Sequence, residues 1–587
     1  MYGYHGRYLL IDLSSGDSRV EPLPEAVCRA VLGGSGLASY LLYRHCPAGA
    51  DPLGPQNPLV LAASPLIGTG ITTASKVALA TRSPQTGMIG DSLSSSYLAL
   101  ALKRTGVDAL VLSGAAARPS ALVVDGTRVE LRDAAELLGL DPSATAAELR
   151  RQLGADYRVA AIGLAGERLV RYAAVSNDGR LAGRTGAGAV MGAKRLKAVA
   201  LRGSAAAPVA DRRGIAAAAR DLAARSLGPG TAKYREVGTA ANVAFFDRLG
   251  ILPTRNFQSG RFEAAEAIAG ERLLLDHAGD RHACAACTVG CEHRYRTTDG
   301  GAATEVRLEY ESLFALGSLC GVADPNAVLR AAARCDALGI DTISTGSTIA
   351  WAMECRQRGL DVPADCPTFG DAGALLDTIE AIGQRRGIGD LLAEGSRAAA
   401  AALGQGAERW AMHVKGLELP GYDPRKLPTL ALGLAVSPRG ACHNRSTAYE
   451  VDLSDRLDRA ASARARAEAA IESEDQAAVL DSLTLCKFLR HCFADLPGEA
   501  AELYSLVTGW PTTGPELLAA GARINTLKRL FNLRQGATRA DDTLPPRLLE
   551  SIELEPLLDA YYQSRGWRAD GTVPEGTLTG LGLMPIL

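Results

Sequence analysis

Three cysteines in the run HACAACTVGCEHR, Cys284, Cys287 and Cys291, stand at C-x2-C-x3-C spacing. Three thiolates on so short a loop can face one point, but a four-coordinate site needs one more ligand. A histidine from the same loop, His282 or His293, would complete a structural zinc site. A cysteine far along the chain, Cys486 or Cys492, would instead complete an iron–sulfur cluster, whose soft thiolate shell implies one-electron redox chemistry.

Other residues carry chemistry of their own. CDALGIDTIST contains D-x-x-G-x-D as Asp336, Gly339 and Asp341, and DSLTLC places Asp481 five residues before Cys486. An ionised carboxylate accepts two parallel N–H bonds and so suits the edge of a guanidine-like heterocycle such as a pterin. The same residues also read as a glycine C-cap followed by an aspartate N-cap. The stretch NDGRLAGRTGAGAVMGAKRLKAVAL is neither a P-loop nor G-x-G-x-x-G. Its backbone N–H groups, flanked by Arg180, Arg184 and Lys194, suit anionic phosphates, or form a turn with a solvated basic face. Glu309 and Glu311 precede an apolar run, where burial would raise a carboxyl toward a working general base, or where they simply favour a helix start. His443 follows a Pro-Arg-Gly turn in SPRGACHNRS and gains meaning only with a partner.

The elements that position these residues divide in three. Residues 1–207 read as β-rich, with short runs such as RYLLIDL, PLVLAAS, KVALATR, DALVLSG and KAVALRG between turn residues. AVCRAVLGGSGLASYLLYRHC and SATAAELRRQLG read as helices within it. Residues 208–413 and 414–587 show apolar spacing of three and four and read as two mainly helical domains. The fold class expected is α+β and multidomain. At 587 residues the chain exceeds one core, and 47% hydrophobic with 22% charged residues describes a globular protein. A net charge of -2 leaves no footprint for nucleic acid. Neither a signal peptide nor a membrane-length apolar run is present, and sparse cysteines outside 284–291 fit a reducing, cytoplasmic setting.

In this order, YGYHGRYLLIDLSSGD, DPLGPQNPLVLAASPLIGTG, RSPQTGMIG, GRTGAGAVMGAKRLKAVA, EYESLFALGSLCG, CDALGIDTISTG, RLFNLRQG and DDTLPPRLLE resemble blocks of the tungsten-dependent aldehyde:ferredoxin oxidoreductase family, nearly end to end. The resemblance implies a tungsten (or molybdenum) bis-pyranopterin without a protein ligand to the metal, a Mg2+ ion linking the two pterin phosphates, and a neighbouring 4Fe–4S cluster. It implies that Cys284, Cys287, Cys291 and Cys486 bind the cluster. Asp336 and Asp341 would hold one pterin, and Asp481 and Leu485 the other. Lys76, Leu93, Ser95, Arg180, Leu181, Gly183 and Arg184 would line the cofactor and its phosphates. Glu311 and His443 fall at the family's catalytic positions.

Several positions depart from that pattern. Lys76 replaces the usual Arg and loses its bidentate fork. Leu93 replaces a polar residue, and Thr484 stands in the glycine position of D-x-x-G-L-C. Arg330 and Ala333 stand where some members carry the E-x-x-H of a dimer-bridging iron, so a homodimer or hetero-oligomer would lack that site. The function implied is oxidation of aldehydes to carboxylic acids, with a ferredoxin or ferredoxin-like subunit as electron partner. Acid reduction, another pterin-dependent redox reaction, or a zinc-stapled scaffold are the alternatives.

Overall fold

The computed structural model describes residues 1–299, 302–458 and 460–587. Twelve strands in the first 202 residues form two six-stranded sheets. The first has the order β2 (Ser18–Pro22), β1 (Arg7–Asp12), β6 (Ala109–Ser113), β3 (Leu59–Ala62), β4 (Lys76–Arg82), β5 (Ile89–Ser95). The second runs β11 (Arg180–Ala182), β10 (Val175–Asn177), β9 (Arg158–Ala161), β12 (Leu196–Arg202), β7 (Ser120–Asp125), β8 (Arg128–Asp133). Pairing is antiparallel except for β1 with β6 and β7 with β12. The two-residue period of a strand sorts the apolar side chains by face. Leu59 and Leu61 enter the core between the sheets with Leu122 and Val124, whereas Val60 and Ala62 face the opposite way.

That opposite face is covered by α1 (Gly34–His45), and the outer face of the second sheet by α2 (Pro142–Leu153). The middle of the chain is mainly helical, with α3 (Pro325–Leu338) and α4 (Thr342–Gln357) in the largest core. It also contains a three-stranded antiparallel sheet, β13 (Ala278–His282), β14 (Glu292–Asp299) and β15 (Ala302–Arg307), which the apolar pattern does not reveal. On β14 the inward positions are His293, Tyr295 and Thr297, so the period of two is written in polar and aromatic side chains. Two long C-terminal helices, α5 (Ala463–Leu483) and α6 (Gly514–Arg534), pack on each other and on α1. Residues of 414–587 contribute both to the core beneath the first sheet and to the helical core. Among the described residues, no single helix is long and apolar enough to cross a membrane.

The helix expected across residues 26–46 is two helices, Glu25–Val31 and α1, broken where Leu32 turns left-handed at φ 63°. The break allows a close approach. A Cβ on Gly34 would meet the carbonyl oxygens of Asp481 and Ser482 at 2.7 Å, and the Gly36 N–H donates to Ser482 Oγ at 3.0 Å. The end of α5 is thereby pressed onto α1. Thr484, in the glycine position of the family motif, takes the left-handed C-cap of α5 at φ 61°, and its hydroxyl lies 3.0 Å from Ser64 Oγ. The turn is kept, at a backbone cost of about 1–2 kcal/mol that the side-chain contact offsets. Gly34→Ala adds a clash at a left-handed position (φ 41°). We expect about 2–4 kcal/mol of destabilisation, read as a fall of several degrees in apparent Tm; an unchanged Tm would show that this contact is not tight.

Candidate active site and metal centre

The cysteine loop is held by the first domain. Thr73 N–H donates to Ala286 O at 2.7 Å, Ser75 Oγ to Ala285 O at 2.5 Å, and Thr288 N–H to Thr72 Oγ1 at 3.0 Å. The same segment binds the far end of the chain, because Cys486 N–H donates to Thr73 Oγ1 at 3.0 Å. One short stretch, Thr72–Ser75, therefore brings Cys486 to Cys284, Cys287 and Cys291. Burial pushes the Cys287 and Cys291 thiols up, and the charges of Cys486 and Cys284 push them further. Cys492 packs in the apolar core instead. Of the local histidines, His293 Nδ1 lies 3.2 Å from Cys291 O. His282 is exposed beside Asp280 and Glu305, the one group among the described residues with three such donor atoms within 4.8 Å of one another. The cysteine sulfurs form no such tight group, whereas thiolates on one zinc ion, ~2.3 Å from it, crowd within about 4 Å.

Beside this loop lies a cavity of about 390 Å³. Lys76, Leu93, Ser95, Arg180, Leu181, Gly183, Arg184, Asp336, Asp341, Asp481, Cys284, Cys291 and Cys486 all line it. Leu485 is buried behind it, its carbonyl accepting from Lys76 Nζ at 3.3 Å. Asp341 performs the capping role: Oδ2 caps α4 through Ser344 N–H at 2.9 Å, and Arg184 Nε stands 3.5 Å from the same oxygen. Gly339, at φ 71°, is the C-cap of α3, which sets Asp336 and Asp341 on either side of one turn. Burial raises the Asp336 carboxyl to about 6. Only the start of the glycine-rich stretch reaches the cavity. Its later glycines serve close packing, since a Cβ on Gly192 would meet Gly166 O at 1.9 Å. Lys194 is buried elsewhere, donating to Gly114 O at 2.9 Å and Pro55 O at 3.3 Å.

Arg439, Arg445, Lys487 and Asp91 also shape this site, and motif spacing does not reveal them. Arg445 bridges Asp91 (Nε to Oδ1 3.1 Å) and Asp481 (2.7 Å), Lys487 stands 3.4 Å from Asp481, and Lys528 pairs with Asp91 at 2.7 Å. Although burial opposes it, Arg445, Lys528 and Arg439 hold Asp91 well below the usual carboxylate range. Arg439 donates to Cys442 Sγ at 2.8 Å. A dense set of basic residues around Cys442 and His443 was the available signal.

Glu311 and His443 meet: Oε1 and Nε2 are 3.5 Å apart. Gly421 N–H donates to the other Glu311 oxygen at 3.1 Å. Burial raises the Glu311 carboxyl to about 8, against the pull of the Gly421 N–H and Arg184. Burial, then Arg184, Lys487, Arg439 and Arg445, push the His443 imidazole well below its ordinary value, so it is neutral at pH 7. Glu309 pairs with Arg307, which holds its carboxyl low. A second cavity, about 590 Å³, shares Glu309, Glu311, His443, Asn444, Lys487 and Phe488 with the first. Glu311 and His443 thus stand at the junction of two chambers. Arg184 Nε, Arg439 Nε, Arg307 Nε, Ser94 Oγ, Glu311 Oε1 and His443 Nδ1 are buried there without a hydrogen-bond partner in the protein. Orphaned donors, most of them cationic, suit an anionic ligand rich in acceptors.

Two family models match the chain: "Aldehyde ferredoxin oxidoreductase, N-terminal domain" over residues 8–203, and "Aldehyde ferredoxin oxidoreductase, domains 2 & 3" over 218–583. The tungsten-containing aldehyde ferredoxin oxidoreductase of Pyrococcus furiosus is 38% identical over 616 aligned positions, covering 99% of each chain. That of Thermococcus kodakarensis is 37% identical over 620, covering 100% of each. Among solved structures, the active-site complex BamBC of benzoyl coenzyme A reductase superposes with a TM-score of 0.88 at 24% identity, covering 100% of this chain and 98% of that one. At that identity the likeness establishes the fold alone. The two matched models together with full-length relatives above 30% identity make this chain an oxidoreductase of the aldehyde ferredoxin oxidoreductase family.

Proposed function

We propose that this protein oxidises aldehydes to carboxylic acids at a tungsten (or molybdenum) bis-pyranopterin and passes the electrons on through a 4Fe–4S cluster. The observation that carries the reading is the junction of the two chambers: Glu311 and His443 face a cavity that is also bordered by cluster-type cysteines and unpartnered arginine N–H groups. In this reading residues 1–207 are the base beneath the cofactor, and 208–413 and 414–587 close over it. Arg180, Arg184 and Lys76 would meet the pterin phosphates, with Leu93 offering its backbone carbonyl to a Mg2+ ion and Leu181, Gly183 and Ser95 beside it. Asp336 and Asp341 would hold one pterin edge, Asp481 and Leu485 the other. Cys284, Cys287, Cys291 and Cys486 would hold the cluster, a better match to their spread sulfurs than one zinc ion. The metal–pterin group supplies a two-electron acceptor, and the cluster a one-electron outlet toward a ferredoxin-like carrier.

The chain's own residues handle the protons. The oxygen of water bonds to the carbonyl carbon while Glu311, as carboxylate, accepts the proton that water loses. His443, neutral, donates an N–H hydrogen bond to the oxyanion that develops on the aldehyde oxygen. As the oxyanion re-forms the C=O bond, the aldehyde C–H bond breaks and the product is the acid. The C–H electron pair would go to the two-electron acceptor, and the C–H proton, with the one taken by Glu311, makes two protons and two electrons released.

Glu311→Gln should lower kcat by about 10²–10⁴-fold while tungsten and iron contents stay at the parent level; undiminished turnover would remove Glu311 from the mechanism. A base must be deprotonated, so kcat/KM of the parent should rise with pH and level off above about 8. That limb should vanish in the variant. Cys486→Ser should strip iron and the reduced-cluster EPR signal. Stoichiometric zinc without tungsten or molybdenum in anaerobically purified protein would overturn the whole reading.

A further inference from the structure

The second cavity has a wall of a particular kind. Beginning at His443, the Tyr422 ring lies 5.0 Å away and the Tyr449 ring 6.1 Å, with Tyr422 and Tyr449 4.8 Å from each other. Tyr310 and Phe246 continue the wall at 5.9 Å and 5.1 Å from Tyr422. Across from them Tyr234 stacks on Phe488 at 4.0 Å and 14°. Each of these six rings lines the same cavity. Tyr310, Tyr422 and Phe246 are buried, while Tyr449, Tyr234 and Phe488 keep part of their surface open. Burial raises the Tyr422 and Tyr449 phenols, so the wall stays uncharged.

The charges near the cavity are mostly spent within the protein. Arg490 pairs with Glu450, Arg456 with Glu472 and Lys487 with Asp481, while the exposed Lys233 donates to the neutral amide oxygen of Asn242 at 2.5 Å. About 590 Å³ is far more than a two-carbon aldehyde fills. Rings set edge-to-face and offset recognise another ring through their quadrupoles as well as through buried area.

We propose that this cavity selects aldehydes that carry an aromatic ring, with Tyr422 and Tyr449 as the surface against which that ring packs. Tyr449 is then a specificity-determining residue, and the aldehyde carbon comes to Glu311 and His443 because the wall starts there. This rests on the aldehyde-oxidising reading above.

The test compares phenylacetaldehyde, acetaldehyde and succinic semialdehyde as substrates of the holoenzyme with an artificial one-electron dye. Thermal shifts of the same preparation with phenylacetate and with acetate supply a readout independent of turnover. We expect kcat/KM for phenylacetaldehyde to exceed that for acetaldehyde by about tenfold or more, chiefly through KM. Phenylacetate should raise Tm more than acetate at equal concentration. Tyr449→Leu should narrow the kinetic preference about fivefold or more. Acetaldehyde oxidised as well as the aryl aldehyde, the anionic semialdehyde preferred, or an unchanged ratio in folded Tyr449→Leu would overturn the proposal while leaving aldehyde oxidation standing. Turnover of none of the three would overturn both. If Tyr449→Leu does not fold, the parent's substrate ratio and the two thermal shifts decide.

Discussion

The rest of the site depends on the compensation of charge buried in one cavity. Arg184, Arg439, Arg445 and Lys487 crowd together where burial alone would make each costly. Asp91, Asp481 and Asp341 offset part of that cost: Asp91 takes Arg445 and Lys528, and Asp481 takes Arg445 and Lys487. The offset is incomplete, because the Nε groups of Arg184 and Arg439 face carboxylates only at 3.5 Å and 4.0 Å and make no hydrogen bond in the protein. The same field has two consequences for chemistry. It holds His443 neutral, and through Arg184 it tempers the burial that raises Glu311.

Holding that charge in register requires elements from the whole chain to meet without slack. Asp91 lies on β5, Arg445 on a short helical turn (His443–Ser446), Asp481 near the end of α5 and Lys528 on α6. The meeting is possible because α1 presents Gly34 and Gly36 where the backbone of α5 passes. A side chain there would lift Asp481 away from Arg445 and Cys486 away from the cysteine loop. Backbone contact and buried ion network are thus two parts of one constraint, and Thr72–Ser75 closes it by bonding both halves of the cysteine set.

Much of this was legible in sequence because it is written in local patterns. The strands of the first sheet other than β5 appear as short β-type runs between turn residues, and Asp341 as a helix cap. Asp341 is an N-cap, as one reading of D-x-x-G-x-D had it, and the same oxygen stands 3.5 Å from Arg184. What stayed hidden was polar. β5, with the sequence IGDSLSS, has a serine-rich face that borders the cavity, and β14 buries histidine, tyrosine and threonine instead of aliphatic residues. Neither produces an apolar signal. Lys194 shows the converse, a basic residue beside a phosphate-like loop whose ammonium is turned to carbonyls away from the cavity.

The sequence by itself determined the family, the cysteine, aspartate and glutamate motifs, and the α+β order, because each rests on residues close together in the chain or on blocks in a set order. Only the tertiary structure decided that Thr73 ties Cys486 to the cysteine loop while Cys492 packs in the apolar core, that Glu311 and His443 stand 3.5 Å apart, and that Arg439, Arg445 and Lys487 share their cavity with Asp91 paired behind Arg445. The reason is physical. Electrostatic and hydrogen-bond energies depend on distance through space, and residues hundreds of positions apart acquire that distance only when the chain is packed.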